Sequence, residues 1–244
     1  MSKIPVGLQM YTVRDVCEKD FIGALRQVAD IGYAGIELAG TYGLSASELR
    51  DVLNELNLKC PGNHTGERDV DKLVAFNQTI GCTYIGGPAL PPGGFPKDEA
   101  SCLAAAKHMN EVGAAYKARG LHLYYHNHAH EFEQVNGKYI LDIFYENTHP
   151  DLVYAEIDVF WVQYANVDPA AYLRKYPGRC PLVHIKDMDA GGGMVDLGKG
   201  VIPWHELLDA AATAGVTHWF AEHDEPVDPM AFAKSAVTYL QALS

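Results

Sequence analysis

Four segments of the chain alternate apolar and polar residues with a period of two, which predicts β-strands with two different faces. They are 121–126, 153–158, 182–186 and 220–222. Buried parallel strands are usually apolar on both faces. One face of each segment here instead carries carboxylate, imidazole or ammonium groups. Charged side chains that converge from several strands indicate a functional site, and this mixture of groups favours a metal site.

Strand-like and helix-like segments follow each other along the whole chain. Capping residues support the helices, as at Ser45 with Glu48 and at Asp168-Pro169, and the first helix is expected to start after Asp20. The predicted strands are 6–11, 34–38, 58–60, 83–86, 121–127, 153–158, 182–186 and 217–222. The predicted helices are 21–29, 46–56, 69–80, 97–119, 140–147, 169–176, 203–214 and 229–243.

Eight βα units of roughly thirty residues predict a (β/α)8 TIM barrel, an α/β fold formed by a single domain over residues 1–244. An open doubly wound sheet is the alternative architecture, and it usually has a glycine-rich phosphate-binding turn after its first strand. Residues 11–14, Tyr-Thr-Val-Arg, stand at that place, so the barrel is favoured. Polar residues at the carboxyl ends of the strands would then line the catalytic mouth.

Charge and composition narrow the classes of partner. The 244 residues carry a formal net charge of −12, which argues against nucleic acid and weakly against an anionic membrane surface. With 48% hydrophobic residues the chain can bury one large core, and no apolar run reaches membrane-spanning length. The five cysteines are scattered without CxxC spacing, so we expect a soluble cytoplasmic protein.

Three residues that can bind a metal lie at the ends of successive predicted strands: Asp158, His184 and Glu222. Adjacent barrel strands lie about 4.8 Å apart, so these side chains can share one ion. A fourth ligand is available in 126–132, where the fifth strand ends. Three carboxylates with one imidazole suit Mn²⁺, Mg²⁺ or Co²⁺. The alternative is that the carboxylates pair with Lys186 or Arg14 and that the histidine is an ordinary core residue.

Seven short motifs match a known family in order along the chain. They are 7–14 (GLQMYTVR), 35–38 (GIEL), 126–132 (HNH followed by EF), 157–162 (IDVFWV), 183–188 (VHIKDM), 197–204 (LGKGVIPW) and 221–224 (AEHD). With these motifs the chain resembles the xylose-isomerase-like TIM barrels, the sugar phosphate isomerase/epimerase group that also includes inosose dehydratases and family-2 AP endonucleases. Each motif is weak by itself, and their common order makes the resemblance specific.

The resemblance implies one divalent ion held by a Glu, an Asp, a His and a Glu from strands five to eight. The matching residues are Glu131, Asp158, His184 and Glu222. His126 or His128 is the alternative to Glu131, because the strand-five motif differs from the family pattern. Manganese is the favoured ion, with magnesium, cobalt and zinc as alternatives. Trp161 stands where epimerases and endonucleases have a His, which weakens the endonuclease interpretation.

The implied activity is isomerisation or epimerisation of a small keto-sugar or polyol-derived carbonyl compound through an enediolate. Glu131 and Glu222 would be the acid/base pair. His126 and His128 would be further catalytic groups, neutral and hydrogen-bonding at the substrate, while His130 is expected to be dispensable. The other expected substrate contacts are Gln9, Glu37, His64, Trp161 and Lys186.

Two further interpretations remain open. A lyase of the inosose dehydratase or 3-keto-glycoside eliminase type begins with the same proton abstraction and then expels a β-leaving group. A barrel that only binds its ligand is the non-catalytic alternative. In every case the expected partner is a small carbohydrate, and homo-oligomers are expected because barrels of this family commonly dimerise.

Overall fold

The computed structural model describes residues 4–67, 69–86 and 94–243. Within these ranges eight parallel strands close into a barrel, in which each strand lies beside its neighbour in sequence and the last pairs with the first. The strands β1 to β8 are Val6–Gln9, Gly35–Leu38, Lys59–His64, Tyr84–Gly86, His122–His126, Val153–Asp158, Leu182–Ile185 and His218–Ala221. The predicted (β/α)8 barrel is confirmed.

Nine helices lie in the described ranges and surround the barrel. Helices α1 to α9 are Arg14–Asp30, Ala46–Glu55, Val70–Ile80, Glu99–Lys117, Ile140–Glu146, Val159–Tyr164, Pro169–Lys175, Trp204–Ala214 and Pro229–Leu243. The predicted capping box is present, since the Ser45 hydroxyl accepts the Glu48 N–H and the Glu48 carboxylate accepts the Ser45 N–H. Asp168 caps α7 as predicted.

The first strand is shorter than its alternation predicts. β1 ends at Gln9 because the side-chain oxygen of Gln9 accepts the N–H of Tyr11, and the chain turns into a 3₁₀ helix, Met10–Val13. This local hydrogen bond competes with continuation of the strand. The result leaves the side chain of Gln9 at the carboxyl end of the barrel.

The first helix begins earlier than predicted, at Arg14. Asp20 interrupts it with φ −158° and ψ 90°, and its carboxylate accepts the N–H of Gly23. Asp20 therefore caps the segment that the apolar spacing predicts. The turns before Asp20 have only Cys17 as a fully buried side chain, so their amphipathic pattern is weak.

The third strand is longer than predicted and runs through Pro61 and Gly62. A register shift between Gly35 and Glu37 in β2 accommodates the irregular segment, and Glu37 then pairs with Gly62. Glycine is needed there, because a Cβ atom would lie 3.1 Å from the Cγ of Glu37. The longer strand carries His64 to the carboxyl end of the barrel.

The barrel interior is apolar at one level and charged above it. Tyr124, Leu182 and Phe220 form a small buried cluster between β5, β7 and β8. Above this cluster the Tyr124 hydroxyl donates to Glu37, and the ring of His184 also contacts Glu37. β2, β5 and β7 are not neighbours in the sheet, so these side chains meet across the interior. The polar strand faces thus point inward, as the alternation predicts.

Two features expected from the composition can be compared with the structure: membrane-spanning segments and the cysteines. Among the described helices, none combines the length and apolarity that a membrane span requires. All five cysteines are buried free thiols. Burial raises the pKa of Cys17 to about 12, so this thiol is a packing residue rather than a nucleophile.

Candidate active site

A cavity of about 330 Å³ opens at the carboxyl ends of the barrel strands. Its volume is in the range of pockets that hold a small molecule. The sequence-predicted residues that line it are Gln9, His64, His126, His128, His184, Lys186 and Glu222. Tyr11 and Asp224 also line it and are absent from the sequence prediction. Their signal was available, because each lies two residues after a predicted site residue and shares its strand parity.

Three predicted ligands meet at the base of this cavity. Asp158 ends β6, His184 lies in β7, and Glu222 directly follows β8. The Nδ1 atom of His184 is 2.7 Å from Glu222 Oε2 and 4.0 Å from Asp158 Oδ2. Lys186 brings an ammonium group, whose Nζ is 3.0 Å from Asp158 Oδ2 and 2.8 Å from Glu222 Oε2. The barrel thus concentrates both signs of charge at one point.

His126, the last residue of β5, completes this group. Its Nε2 is 3.8 Å from Asp158 Oδ2, and its ring centroid is 4.3 Å from that of His184. Ligand atoms of His126, Asp158 and His184 all lie within 4.8 Å of one another. We call His126, Asp158, His184 and Glu222 the inner cluster.

Several buried polar atoms of the inner cluster have no hydrogen bond of good geometry. They are His126 Nδ1, Asp158 Oδ2, His184 Nδ1 and Glu222 Oε2. The other oxygen of Asp158 is fully used, because it accepts the N–H groups of Phe160 and Trp161 at the start of α6. Buried polar atoms are nearly always hydrogen-bonded, so several left over at one place indicate a ligand. Two imidazoles and two carboxylates fit the divalent ion that the sequence analysis expects.

Mutual contacts set the charges of this site. Burial opposes ionisation of Glu222, but Lys186 and His184 outweigh it and hold the pKa of Glu222 well below its ordinary value. Burial also opposes charge on His184, yet the carboxylates of Glu156 and Glu222 raise its pKa well above the ordinary value. In the metal-free protein His184 is therefore protonated, and a divalent ion would replace the proton on Nδ1.

His126 has the opposite protonation state. Burial, together with the positive charge of His184, lowers the pKa of His126 well below its ordinary value. A neutral imidazole is the form that binds a metal or accepts a hydrogen bond. His126 is thus ready to act as a ligand at neutral pH.

Two more carboxylates, Glu37 and Glu156, lie below the inner cluster and are fully buried. Glu37 accepts a 2.6 Å hydrogen bond from Gln9 Nε2 and contacts His184 Nε2 at 2.6 Å. Glu156 Oε2 lies 3.3 Å from His184 Nε2 and 3.6 Å from His126 Nδ1. Burial and the negative charge of Glu37 raise the pKa of Glu156 to about 8.

Glu131 lies apart from the inner cluster. Its buried carboxylate accepts hydrogen bonds from the Tyr125 hydroxyl (2.7 Å) and from the backbone N–H of His128 (2.8 Å). His128 Nδ1 and His130 Nε2 lie 3.8 and 3.4 Å from Glu131 Oε1, the oxygen that accepts the hydrogen bond from Tyr125. We call His128, His130 and Glu131 the loop cluster. His128 belongs to both places, because its half-exposed ring also lines the cavity.

Of the remaining residues predicted to contact the substrate, some line the cavity and others do not. His64 ends β3 and lines the cavity, with its ring 5.5 Å from that of His126. Lys186 contacts Asp224 at 2.8 Å in addition to the inner cluster. Trp161 is partly buried and lies beside Lys186, whose Nζ is 5.7 Å from the centroid of the Trp161 ring. It is not among the described residues that line the cavity.

An α/β barrel with imidazoles and carboxylates at the carboxyl ends of its strands has the architecture of a barrel enzyme. The sequence model of the family described as xylose isomerase-like TIM barrel matches residues 25–241. The chain therefore belongs to this family, which confirms the resemblance found in the motifs.

Known relatives and structures agree with this assignment. Inosose dehydratase 2 of Bacillus cereus is 27% identical over 60% of this chain and 55% of its own length, so the chain spans about half of that curated relative. A sugar phosphate isomerase/epimerase from Parabacteroides distasonis has a TM-score of 0.84 at 22% identity, covering 99% of this chain and 95% of the other. The IOLI protein, solved with a bound zinc atom, has a TM-score of 0.75 at 13% identity, covering 98% of both chains.

Proposed function

We propose that this chain is a divalent-metal-dependent enzyme that removes a proton beside the carbonyl group of a small polyhydroxylated compound. The observation that carries the proposal is the inner cluster, in which Asp158 Oδ2, His184 Nδ1 and Glu222 Oε2 face one another without a hydrogen bond of good geometry and His126 Nε2 faces Asp158. His126, Asp158, His184 and Glu222 would hold the ion. His126 thereby takes the strand-five position that the family pattern gives to a Glu. The IOLI protein, which has the same fold, was solved with a bound zinc atom, and this supports a metal in the present chain.

The bound ion would act as a Lewis acid that polarises the substrate carbonyl and acidifies the neighbouring C–H group. Glu222 lines the cavity and stays ionised at neutral pH, so its carboxylate can accept the proton. Lys186 keeps its positive charge beside Glu222, because the carboxylates around it outweigh burial and raise its pKa. When Asp158 and Glu222 bind the ion, Asp224 remains as a partner for this ammonium.

A second protonic group faces the cavity from the other side. β5 and β8 are separated by β6 and β7, so His128 and Glu222 approach the substrate from different directions. Burial opposes charge on His128, but the Glu131 carboxylate outweighs it and raises the pKa of His128 above its ordinary value. The sequence analysis expects a neutral His128, but the Glu131 carboxylate favours its protonated form. His128 can therefore donate a proton where Glu222 accepts one. Donation to the opposite face of the same carbon gives an epimerase. Donation to the former carbonyl carbon, with the hydroxyl proton moving to the other oxygen, gives an isomerase.

Elimination is the second candidate, and the position of Glu131 favours it. Glu131 is held by Tyr125 and the backbone, and it is not among the described residues that line the cavity. The group opposite Glu222 is therefore a histidine poised as an acid rather than a second carboxylate base. An acid at this place can protonate a departing β-hydroxyl. The inosose dehydratase name of the curated relative agrees with this outcome.

The test is metal analysis of the purified protein followed by product analysis in deuterated water. Keto-sugars, inososes and 3-keto-glycosides would be incubated with metal-loaded and chelator-treated protein, and the products followed by proton NMR. Deuterium exchange without loss of water supports the isomerase or epimerase. An unsaturated product supports the lyase. A protein that binds no metal and exchanges no proton on the whole panel would be a binding module, and the proposal would be wrong.

Several finer points remain predictions. Manganese as the native ion, a carbohydrate substrate, self-association and a cytoplasmic location rest on the sequence arguments above. The acidic net charge still predicts that nucleic acid is not a partner. Roles for Gln9, His64 and Trp161 at the substrate also stay predictions.

A further inference from the structure

Glu37 and Glu156 take no part in the reaction proposed above. Both are fully buried, and neither lines the cavity. Burying a carboxylate costs free energy unless charged or hydrogen-bonding groups compensate it. Both lie on the sides of the histidine rings that face away from Asp158: Glu37 is 2.6 Å from His184, and Glu156 is 3.3 Å from His184 and 3.6 Å from His126.

The contact between His184 and Glu37 fixes the proton on His184. Nε2 of His184 is 2.6 Å from Glu37 Oε2, which is the distance of a hydrogen bond to a carboxylate. Nε2 must carry the hydrogen, since an ionised carboxylate only accepts. Once an ion replaces the second proton, the lone pair of the ring lies on Nδ1, the atom that faces Glu222 and Asp158.

His126 has the same arrangement with its two nitrogens exchanged. Its Nδ1 faces Glu156 Oε2 at 3.6 Å, and its Nε2 faces Asp158 Oδ2 at 3.8 Å. His126 Nδ1 and both carboxylate oxygens of Glu156 are buried and lack a hydrogen bond of good geometry. His184 Nε2 is closer to Glu37 than to Glu156. When the positive charge of a bound ion favours the ionised form of Glu156, the nitrogen left to donate to it is therefore His126 Nδ1.

We propose that Glu37 and Glu156 are positioning residues that hold the two histidines in opposite tautomers. Glu37 makes His184 present Nδ1 to the ion, and Glu156 makes His126 present Nε2. This inference rests on the proposed metal site and adds the residues that orient its ligands. A carboxylate behind a metal-binding histidine fixes the ring and increases the basicity of the ligand.

The surroundings hold Glu37 in place independently of any ligand. Gln9 Nε2 donates to the oxygen that His184 contacts, and the Tyr124 hydroxyl donates to the other oxygen. Gly62 leaves the space that the Glu37 side chain occupies. Three donors converge on one carboxylate, so a carboxamide at this position would turn its NH₂ group toward one of them. Glu37→Gln is therefore a near-isosteric change that removes the negative charge behind His184 and weakens the hold on its ring.

The test measures metal affinity directly. Chelator-treated wild type, Glu37→Gln and Glu156→Gln would be titrated with Zn²⁺ and with Mn²⁺ against a competing chromophoric chelator. Glu111→Gln is the matched control, because Glu111 is exposed on α4. We expect Kd to rise roughly 10–100-fold in both interior variants and to stay unchanged in the control. Tyr124→Phe, which removes one donor to Glu37, should weaken binding by less.

A second readout tests the tautomers without mutation. In the zinc-loaded protein with ¹⁵N-labelled histidine, long-range ¹⁵N–¹H spectra should show His184 metallated at Nδ1 and His126 at Nε2. The opposite assignment at either ring would overturn the inference, even if an interior variant failed to fold. If the wild type binds the ion and the folded Glu37→Gln and Glu156→Gln variants bind it with the same Kd, the inference would also be overturned. The proposed function would then still stand. A wild type that binds neither ion would refute the metal site and this inference together.

Discussion

The inner cluster and the loop cluster contain the same kinds of groups but differ in how those groups are satisfied. In the loop cluster, Glu131 accepts hydrogen bonds from Tyr125 and from the backbone of His128. In the inner cluster, Asp158 and Glu222 each retain a buried oxygen without a hydrogen bond of good geometry. Both clusters bring potential ligand atoms within 4.8 Å of one another. Proximity of histidines and carboxylates is therefore insufficient to identify a metal site.

The difference also separates two chemical tasks. A carboxylate already satisfied by the protein, such as Glu131, serves best to tune its neighbour His128. Carboxylates and imidazoles that lack hydrogen bonds of good geometry, as in the inner cluster, where Lys186 contacts Asp158 and Glu222, are suited to bind a cation. The predictions that follow test this division, and they are ordered from the largest expected effect to the smallest.

Glu222→Gln should have the largest effect on turnover. The amide keeps the size of the side chain but cannot accept the substrate proton, so kcat should fall by about 10²–10⁴-fold. The measurement is proton–deuterium exchange on the substrate panel, with circular dichroism to show that the fold is intact. Near-normal exchange in a variant that retains its metal would show that Glu222 is not the base.

Alanine at His126 and at His130 should separate the two clusters. Loss of His126 removes a proposed ligand, so metal affinity should fall by more than the roughly 10–100-fold expected for a supporting residue. His130 is more than half exposed, and His130→Ala should leave affinity and kcat/KM nearly unchanged. Calorimetric titration with Zn²⁺ is the measurement. Equal losses in both variants would mean that the loop cluster also takes part in binding the ion.

His128→Ala should reduce kcat/KM much more than His130→Ala, with little change in metal affinity. The reason is that His128 lines the cavity and can donate a proton, whereas His130 only approaches Glu131. A steady-state comparison of the two variants at one metal concentration tests this. If both instead show equal modest losses with lowered melting temperatures, the histidines only stabilise the loop.

Glu131→Gln should change the pH dependence of the reaction. The Glu131 carboxylate raises the pKa of His128, so the protonated acid persists above its ordinary titration range and is lost as pH rises through the raised pKa. Removing the negative charge should shift the alkaline limb of kcat/KM to lower pH. The pH profile of the variant is compared with that of the wild type. An unshifted limb would show that His128 is not the acid seen in the profile.

The smallest expected effect on activity is that of Tyr125→Phe. The change removes one buried hydrogen bond to Glu131, so the free energy of unfolding should fall by about 1–3 kcal/mol. Urea denaturation in the presence of a chelator measures this loss. Metal affinity should be unchanged, since the hydroxyl of Tyr125 donates to Glu131, which is not part of the inner cluster. Weaker metal binding in this variant would mean that the two clusters act together in holding the ion.

Much of the barrel could be predicted from sequence because its strands and helices have strong periodic patterns. The alternation in β6 and β7 also gives the inward direction of Asp158 and His184. The errors lie where local hydrogen bonds or pairing override the pattern, as at Gln9, Asp20 and the segment through Pro61. Each of those depends on a single contact that periodicity does not encode.

The sequence by itself determined the barrel, the family and three residues of the inner cluster, because fixed strand parity and strand order place Asp158, His184 and Glu222 together. It left His126, His128 and Glu131 as alternatives for the fourth position. Only the tertiary structure shows where each of them lies: Glu131 accepts a hydrogen bond from Tyr125 outside the inner cluster, while β5 ends with His126 facing Asp158. The placement of Glu37 and Glu156 behind the histidines was likewise decided by contacts across the barrel, between residues far apart in sequence.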